Sequence, residues 1–310
     1  RDMPPGSAAR PWSQRITWMS IGAVVALTCF MGLRTAFVRP FPTVRPLLSD
    51  LQIGTTAPAP PVDCDPHGAS QPAPVLNFDN LLATAERLLP RFVRCCLPLE
   101  YKAMGVLYSE ALALVSAMSL AGVDIMIESG TANGFSTELM ARFFNETALP
   151  IVTIDSNPES PLVVATVERL RNFSHVSFVF GDGGARIPAL LEEHRNKKIG
   201  VFVDGPKHWS GLALCMKALR ASPNVKFCAI HDSSPAAFAS DFAAALEEQS
   251  RTVLYTWNPA WRRAFSPMDQ LTSYKPGPGK WGTYGWGVTI FAGLETMPFG
   301  VKGDTSALRR

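Results

Sequence analysis

Five acidic residues recur where they could do chemistry. Glu128 closes the apolar run DIMIE (124–128), Asp155 closes IVTID (151–155) and Asp204 closes IGVFVD (199–204); Asp182 and Asp232 follow directly after VSFVF-Gly181 and VKFCAIH. A carboxylate at the end of the second run, 27 residues after Glu128, is placed to accept both hydroxyls of a ribose. A helix cap or a solubilised loop is the plainer reading of Asp155. Asp182, between Gly181 and Gly183, could accept from an exocyclic amine or simply stabilise a turn. Gly130 and Gly134 permit a tight turn and a close backbone approach to a ligand, and the helix that follows aims its first N–H groups at the same spot. Their spacing is G-x-x-x-G and not the dinucleotide G-x-G-x-x-G.

The elements that must position these residues alternate. Apolar runs at 124–128, 151–155, 176–180, 199–204 and 225–231 read as strands, with 251–257 and 286–292 as later ones. Helical patterns fill 130–144, 160–172, 187–195, 211–221 and 236–249. Strand–helix alternation means βαβ units, so the expected fold is α/β, a Rossmann-like, doubly wound, mostly parallel seven-stranded sheet with both faces covered. Ligands of such sheets sit beyond the carboxyl ends of the strands, where the five acids would share one rim. Two helices precede the sheet, one over Leu81–Leu89 broken by Pro90 and Pro98, the other from about Leu99 to Leu120. A C-terminal loop, 255–287, gathers Tyr255, Trp257, Trp261, Trp281, Tyr284 and Trp286. It reads equally as an acceptor wall or as packing, with Arg262-Arg263 beside it.

In order, E-x-G-x-x-x-G-x-S, I-D, G-D, V-D-G-P-K-H and I-H-D resemble a class I S-adenosylmethionine-dependent methyltransferase, over about residues 105–293. The subgroup it is most similar to is the small-molecule O-methyltransferase and cephalosporin-hydroxylase-like set. The resemblance implies that Glu128, Gly130 and Gly134 cradle the methionine part of S-adenosyl-L-methionine, with Ser136 near its carboxylate. It implies Asp155 on the ribose and Gly181 and Asp182 at the adenine. Asp204 and Asp232 would lie beside the transferred methyl group and could hold Mg²⁺, with His208 or His231 as general base. The family's D-G-D-H stands here as Asp204-Gly205-Pro206-Lys207-His208, and its H-D-D as His231-Asp232-Ser233, so one acid is missing from each. Lys207 is either a solvated surface group or a contact to an acidic acceptor. The implied reaction is methyl transfer, to a hydroxyl oxygen of a small molecule or carbohydrate. The alternatives are a membrane-tethered glycosyltransferase and a non-catalytic binding module of the same fold.

The chain has 310 residues, 47% of them hydrophobic and 18% charged, which excludes a disordered protein or a disulfide-dense scaffold. Residues 1–45 carry six arginines and one aspartate; the other 265 residues carry 23 basic and 25 acidic side chains. The excess of positive charge is therefore N-terminal, and the body has no electrostatic case for nucleic acid. After a tail (1–15), residues 16–33 form an uncharged run of 18 between Arg15 and Arg34, long enough for a transmembrane anchor. A proline-rich stem (34–76) follows, with nine prolines between Pro40 and Pro74, and a globular domain occupies 77–310, its helices in 77–120 and its core in 121–293. The stem's Asp63-Cys64-Asp65 has the DxD form of a sugar-nucleotide motif, there by coincidence. Sequons at Asn145-Glu146-Thr147 and Asn172-Phe173-Ser174, together with the short N-terminal tail, favour an endomembrane lumen for the C-terminal body, the alternative being a cytosolic body in which the sequons have no meaning. Some of Cys64, Cys95, Cys96, Cys215 and Cys228 would then be oxidised, Cys95-Cys96 being more consistent with helix packing.

Overall fold

The computed structural model describes residues 75–102, 105–233, 252–271 and 287–293. All belong to one of two compact units, Thr43–Arg310. The apolar run 16–33, the stem up to residue 74, the DxD triplet and the 236–249 helix lie outside the described residues, while Leu76 at the end of the stem is buried in the core. Among the described residues no helix is long and apolar enough to cross a membrane.

Helix α1 (Phe78–Cys96) starts where the Asn77 side chain accepts the Asn80 N–H at 2.9 Å. It passes through Pro90 instead of breaking there. Pro90 faces solvent, while Leu89, Phe92, Val93 and Cys96 continue the buried stripe beyond it. The burial outweighs one lost backbone bond, whose carbonyl water can satisfy. Helix α2 (Tyr108–Ala121) begins nine residues later than its apolar pattern suggests. The Leu107 N–H donates to Glu110 Oε2 at 2.6 Å and fixes the start, and Gly122 ends the helix in the left-handed region at φ 57°.

Strands β1 (Ile125–Ser129), β2 (Ile151–Asp155), β3 (Val176–Phe180), β4 (Ile199–Val203), β5 (Val225–His231), β6 (Thr252–Tyr255) and β7 (Val288–Ala292) form one sheet in the order β3-β2-β1-β4-β5-β7-β6. Only β7 runs against its neighbours. The connecting helices are α3 (Phe135–Phe143), α4 (Pro161–Leu170), α5 (Gly183–Glu193) and α6 (His208–Ala221). Alternate residues of each strand enter two cores. Met126, Phe202, Phe227 and Ile290 pack beneath α1, α2 and α3; Ile125, Ile127, Val201 and Ile230 pack beneath α5 and α6. Strands buried on both faces explain why they read as continuous apolar runs.

Helix α5 starts four residues earlier than expected because Asp182 caps it, accepting from the Ala185 N–H at 3.1 Å. Within the aromatic C-terminal segment lies an unforeseen helix, α7 (Pro259–Phe265), capped by Asn258 and followed by a 3₁₀ turn, Ser266–Leu271. Its Trp261 is fully buried against Phe265 and serves packing, while Tyr255 and Trp257, both half-buried, stack on each other at 4.4 Å. Trp281, Tyr284 and Trp286 lie outside the described residues. Cys215 of α6 and Cys228 of β5 form a buried disulfide with Cα atoms 5.7 Å apart; Cys95 and Cys96 are free thiols, Cys96 part of the core.

Candidate active site at the strand ends

The strand order reverses between β1 and β4, and there the chain draws its turns together. The Asp204 and Gly205 N–H groups both donate to the Ser129 carbonyl, at 2.7 and 2.8 Å, and the Ser129 hydroxyl donates to the Gly205 carbonyl. A Cβ on Gly130, at φ 104°, would lie 2.8 Å from the Gly205 nitrogen. On the β2 side, Asp155 Oδ2 accepts from the Ala132 N–H at 2.9 Å, Oδ1 accepts from the Asn157 N–H at 2.9 Å, and the Asp155 carbonyl accepts from the Gly181 N–H at 2.9 Å. The turns after β1, β2, β3 and β4 thus form one continuous rim.

The rim does not present every residue expected of it. Glu128 is fully buried, its carboxylate accepting from the Ser136 hydroxyl and, at 2.5 Å, from the Thr137 hydroxyl. Burial pushes its carboxyl up to about 7 despite those donors. Glu128 and Ser136 therefore brace the start of α3 against β1 and do not face a methionine moiety. Gly134 is likewise needed for packing: at φ 65°, its Cβ would fall 2.1 Å from the Thr166 methyl of α4. Asp155, half-buried, and Asp182, exposed, do face outward. Asp155 spends one acceptor position of each oxygen on the backbone and keeps the other; Asp182 spends Oδ1 on its helix cap.

Past the reversal, Asp204, His231 and Asp232 converge, with potential ligand atoms all within 4.8 Å of one another. His231 is buried and doubly bonded, Nδ1 at 2.6 Å from Asp204 Oδ1 and Nε2 at 3.2 Å from Glu110 Oε2. Burial alone would depress this imidazole, but Asp204 and Glu110 together hold it well above its ordinary value. Both of its ring nitrogens are engaged by carboxylates, which removes it as the general base. Conversely, burial would raise Asp204, yet His231 and Lys207 keep it below the usual carboxylate range. The Lys207 ammonium contacts Asp204 Oδ1 and lies 2.7 Å from Asp232 Oδ2. Burial would lower that ammonium's value, and the two aspartates raise it. Asp232 sits in the left-handed region at φ 55°, a conformation aspartate tolerates better than most residues. His208 begins α6, and its side chain lies outside the described atoms.

Pattern reading missed Glu110 and Asp269. Glu110 is the only charged residue of the apolar α2, a carboxylate that had to find a cationic partner there. Asp269 accepts from the Ser109 N–H at 2.8 Å and its hydroxyl at 2.6 Å, and burial pushes it up to about 7.

As a pair of magnesium ligands, Asp204 and Asp232 do not fit. An ammonium already lies between them, and the third member of the cluster, His231, has no free nitrogen. Hard divalent ions need open oxygen ligands.

No protein-family model matches the chain, and no curated protein matches its sequence. Among solved structures, the chain is similar to an O-methyltransferase from Bacillus cereus in complex with SAH, at 18% identity over 68% of this chain and 90% of that one, TM-score 0.37. A SAH-bound methyltransferase from Podospora anserina shares 16% identity over 69% and 87%, TM-score 0.36. An rRNA methylase from Streptococcus thermophilus shares 17% identity over 58% and 95%, TM-score 0.34. Likenesses this distant carry no argument about activity.

Proposed function

We propose that this chain is an S-adenosylmethionine-dependent methyltransferase acting on a hydroxyl oxygen of a small molecule or carbohydrate. One observation carries the reading: at the point where strand order reverses, the turn after β1 packs backbone to backbone on the turn after β4 and holds the outward carboxylate of Asp155 through its Ala132 N–H, so that the three strand ends share one rim. Asp155 would accept the ribose hydroxyls with its remaining lone pairs, while Gly181 and Asp182 border the adenine. The backbone of 130–134 and the start of α3 would hold the methionine end, in place of the inward-turned Glu128 and Ser136. The cofactor supplies an electrophilic methyl group on a sulfonium.

The protein's work is then to hold an acceptor oxygen in line with that methyl, a contribution of proximity that needs no nucleophilic side chain. The acceptor would lie on the β4–β5 side, against Lys207 and the partly exposed Asp232. Asp232 is the carboxylate best placed to take the hydroxyl proton, since His231 is not free to do so. The body is proposed to be lumenal and tethered through residues 16–33. The buried disulfide and two exposed sequons support that placement, which also requires cofactor import.

Titration calorimetry of the full chain with S-adenosylmethionine and with S-adenosylhomocysteine tests the reading. Both are expected to bind, and Asp155→Ala to weaken both by about 1–3 kcal/mol, the cost of removing a charged hydrogen-bond acceptor. Wild-type protein that binds neither nucleoside rules the proposal out.

A further inference from the structure

We infer that Lys207 is a built-in cation that replaces a divalent metal between Asp204 and Asp232, so that the site is metal-independent as it stands and becomes a divalent-cation site when the lysine charge is removed. Its ammonium touches one oxygen of each aspartate, Asp204 Oδ1 and Asp232 Oδ2. That is the bridging position an ion would take. Two oxygens on one ion, with bonds of about 2.1–2.4 Å, are separated by no more than about 4–5 Å. The potential ligand oxygens of Asp204 and Asp232 fall inside that span, at 4.8 Å or less.

The charges agree: Lys207 sets one positive charge between the carboxylates of Asp204 and Asp232, and its removal leaves those two carboxylates facing each other across the vacated position. Access is available too: the Lys207 side chain is 41% exposed and Asp232 26%, so shortening the lysine opens the gap to solvent, with His231 buried behind it. Two of the three ammonium N–H groups are spent on the aspartates. The third remains for an oxygen of a bound acceptor, the contact a metal would otherwise provide. The inference stands on the cluster alone; only this last contact rests on the proposed methyl transfer.

The test is Mn²⁺ binding by the full chain, read by electron paramagnetic resonance and by the thermal midpoint with and without EDTA. Neither readout involves turnover, so a failure here is distinct from a failure of the methyltransferase reading. Wild-type protein is expected to bind no Mn²⁺ at this site and to be indifferent to EDTA. Lys207→Ala is expected to gain at least about tenfold in Mn²⁺ affinity over wild type, to be stabilised by the ion, and to lose both effects when combined with Asp232→Asn. Lys207→Gln, which keeps donors but no charge, carries the same expectation should the alanine variant fail to fold. Wild-type binding as tight as that of the variants overturns the inference, and so does the absence of any gain in both.

Discussion

Glu128 shows how a single carboxylate can look like a ligand contact and serve as a brace. Ser136 and Thr137 claim its oxygens, and burial raises its carboxyl from 4.5 to about 7. Below pH 4.5 the group is protonated whether the chain is folded or not, and costs nothing. Between 4.5 and about 7 the unfolded chain releases the proton and the folded chain does not, so stability falls as pH rises; above that both forms are ionised and the loss is constant. The shift corresponds to a loss on the order of 3 kcal/mol. Asp269, raised from 3.8 to about 7, adds a slope of the same sign, whereas the lowered Asp204 contributes stability that disappears in acid. Glu128→Gln should therefore lose less stability than wild type between about pH 5 and 8 in urea denaturation. Equal slopes would show that Glu128 is ionised throughout. That the acids end the strands was legible, because strand period and βα alternation force them to one rim. Which of them turn outward was not, because that depends on donors such as the Ser136 hydroxyl. A lone acid in an apolar helix was a readable sign of Glu110, but its partner His231, 121 residues away, depends on tertiary packing.

At the scale of elements, periodicity found all seven strands and located most helices, since burial writes directly into apolar spacing. It misjudged ends. Pro90 was expected to stop α1, yet it sits on the exposed face while the buried stripe runs on. The onsets of α2 and α5 are set by side chains, Glu110 and Asp182, not by the pattern of apolar residues. Helix α7 hid inside an aromatic stretch although Asn258-Pro259 is a helix-start signal. One cross-link joins two elements that shape the site: Cys215–Cys228 ties α6, which begins just after Lys207, to β5, which ends at His231. With a separation of 13 residues, closing that loop is worth about 3 kcal/mol through the unfolded chain. The Cys215→Ser, Cys228→Ser double variant should be destabilised by about that amount, and dithiothreitol should shift the wild-type denaturation midpoint toward that of the variant. Wild-type protein whose midpoint is insensitive to the reductant would show that the bond contributes nothing to stability.

For the whole molecule, the question is which compartment the fold is built for, and the layout of the sheet bears on it. In a βαβ unit each helix returns the chain from the strand's carboxyl end to the opposite edge. Asn145 lies in the turn between α3 and β2, and Asn172 in the turn between α4 and β3, so both occupy the edge away from the Asp155–Asp204 rim. Asn145 and Thr147 are exposed, as are Asn172 and Ser174, so neither sequon would need the body to unfold for modification. Glycans there would extend from the back of the domain and leave the rim open. The same compartment that attaches them would also keep Cys215–Cys228 oxidised. The full chain produced in secretory-pathway cells is therefore expected to carry two endoglycosidase-sensitive glycans, one lost in Asn145→Gln and the other in Asn172→Gln. A chain that carries none, and whose Cys215 and Cys228 label as free thiols, faces the cytosol; its cofactor would then be at hand without import, and the lumenal placement would fall while the methyl-transfer reading stood.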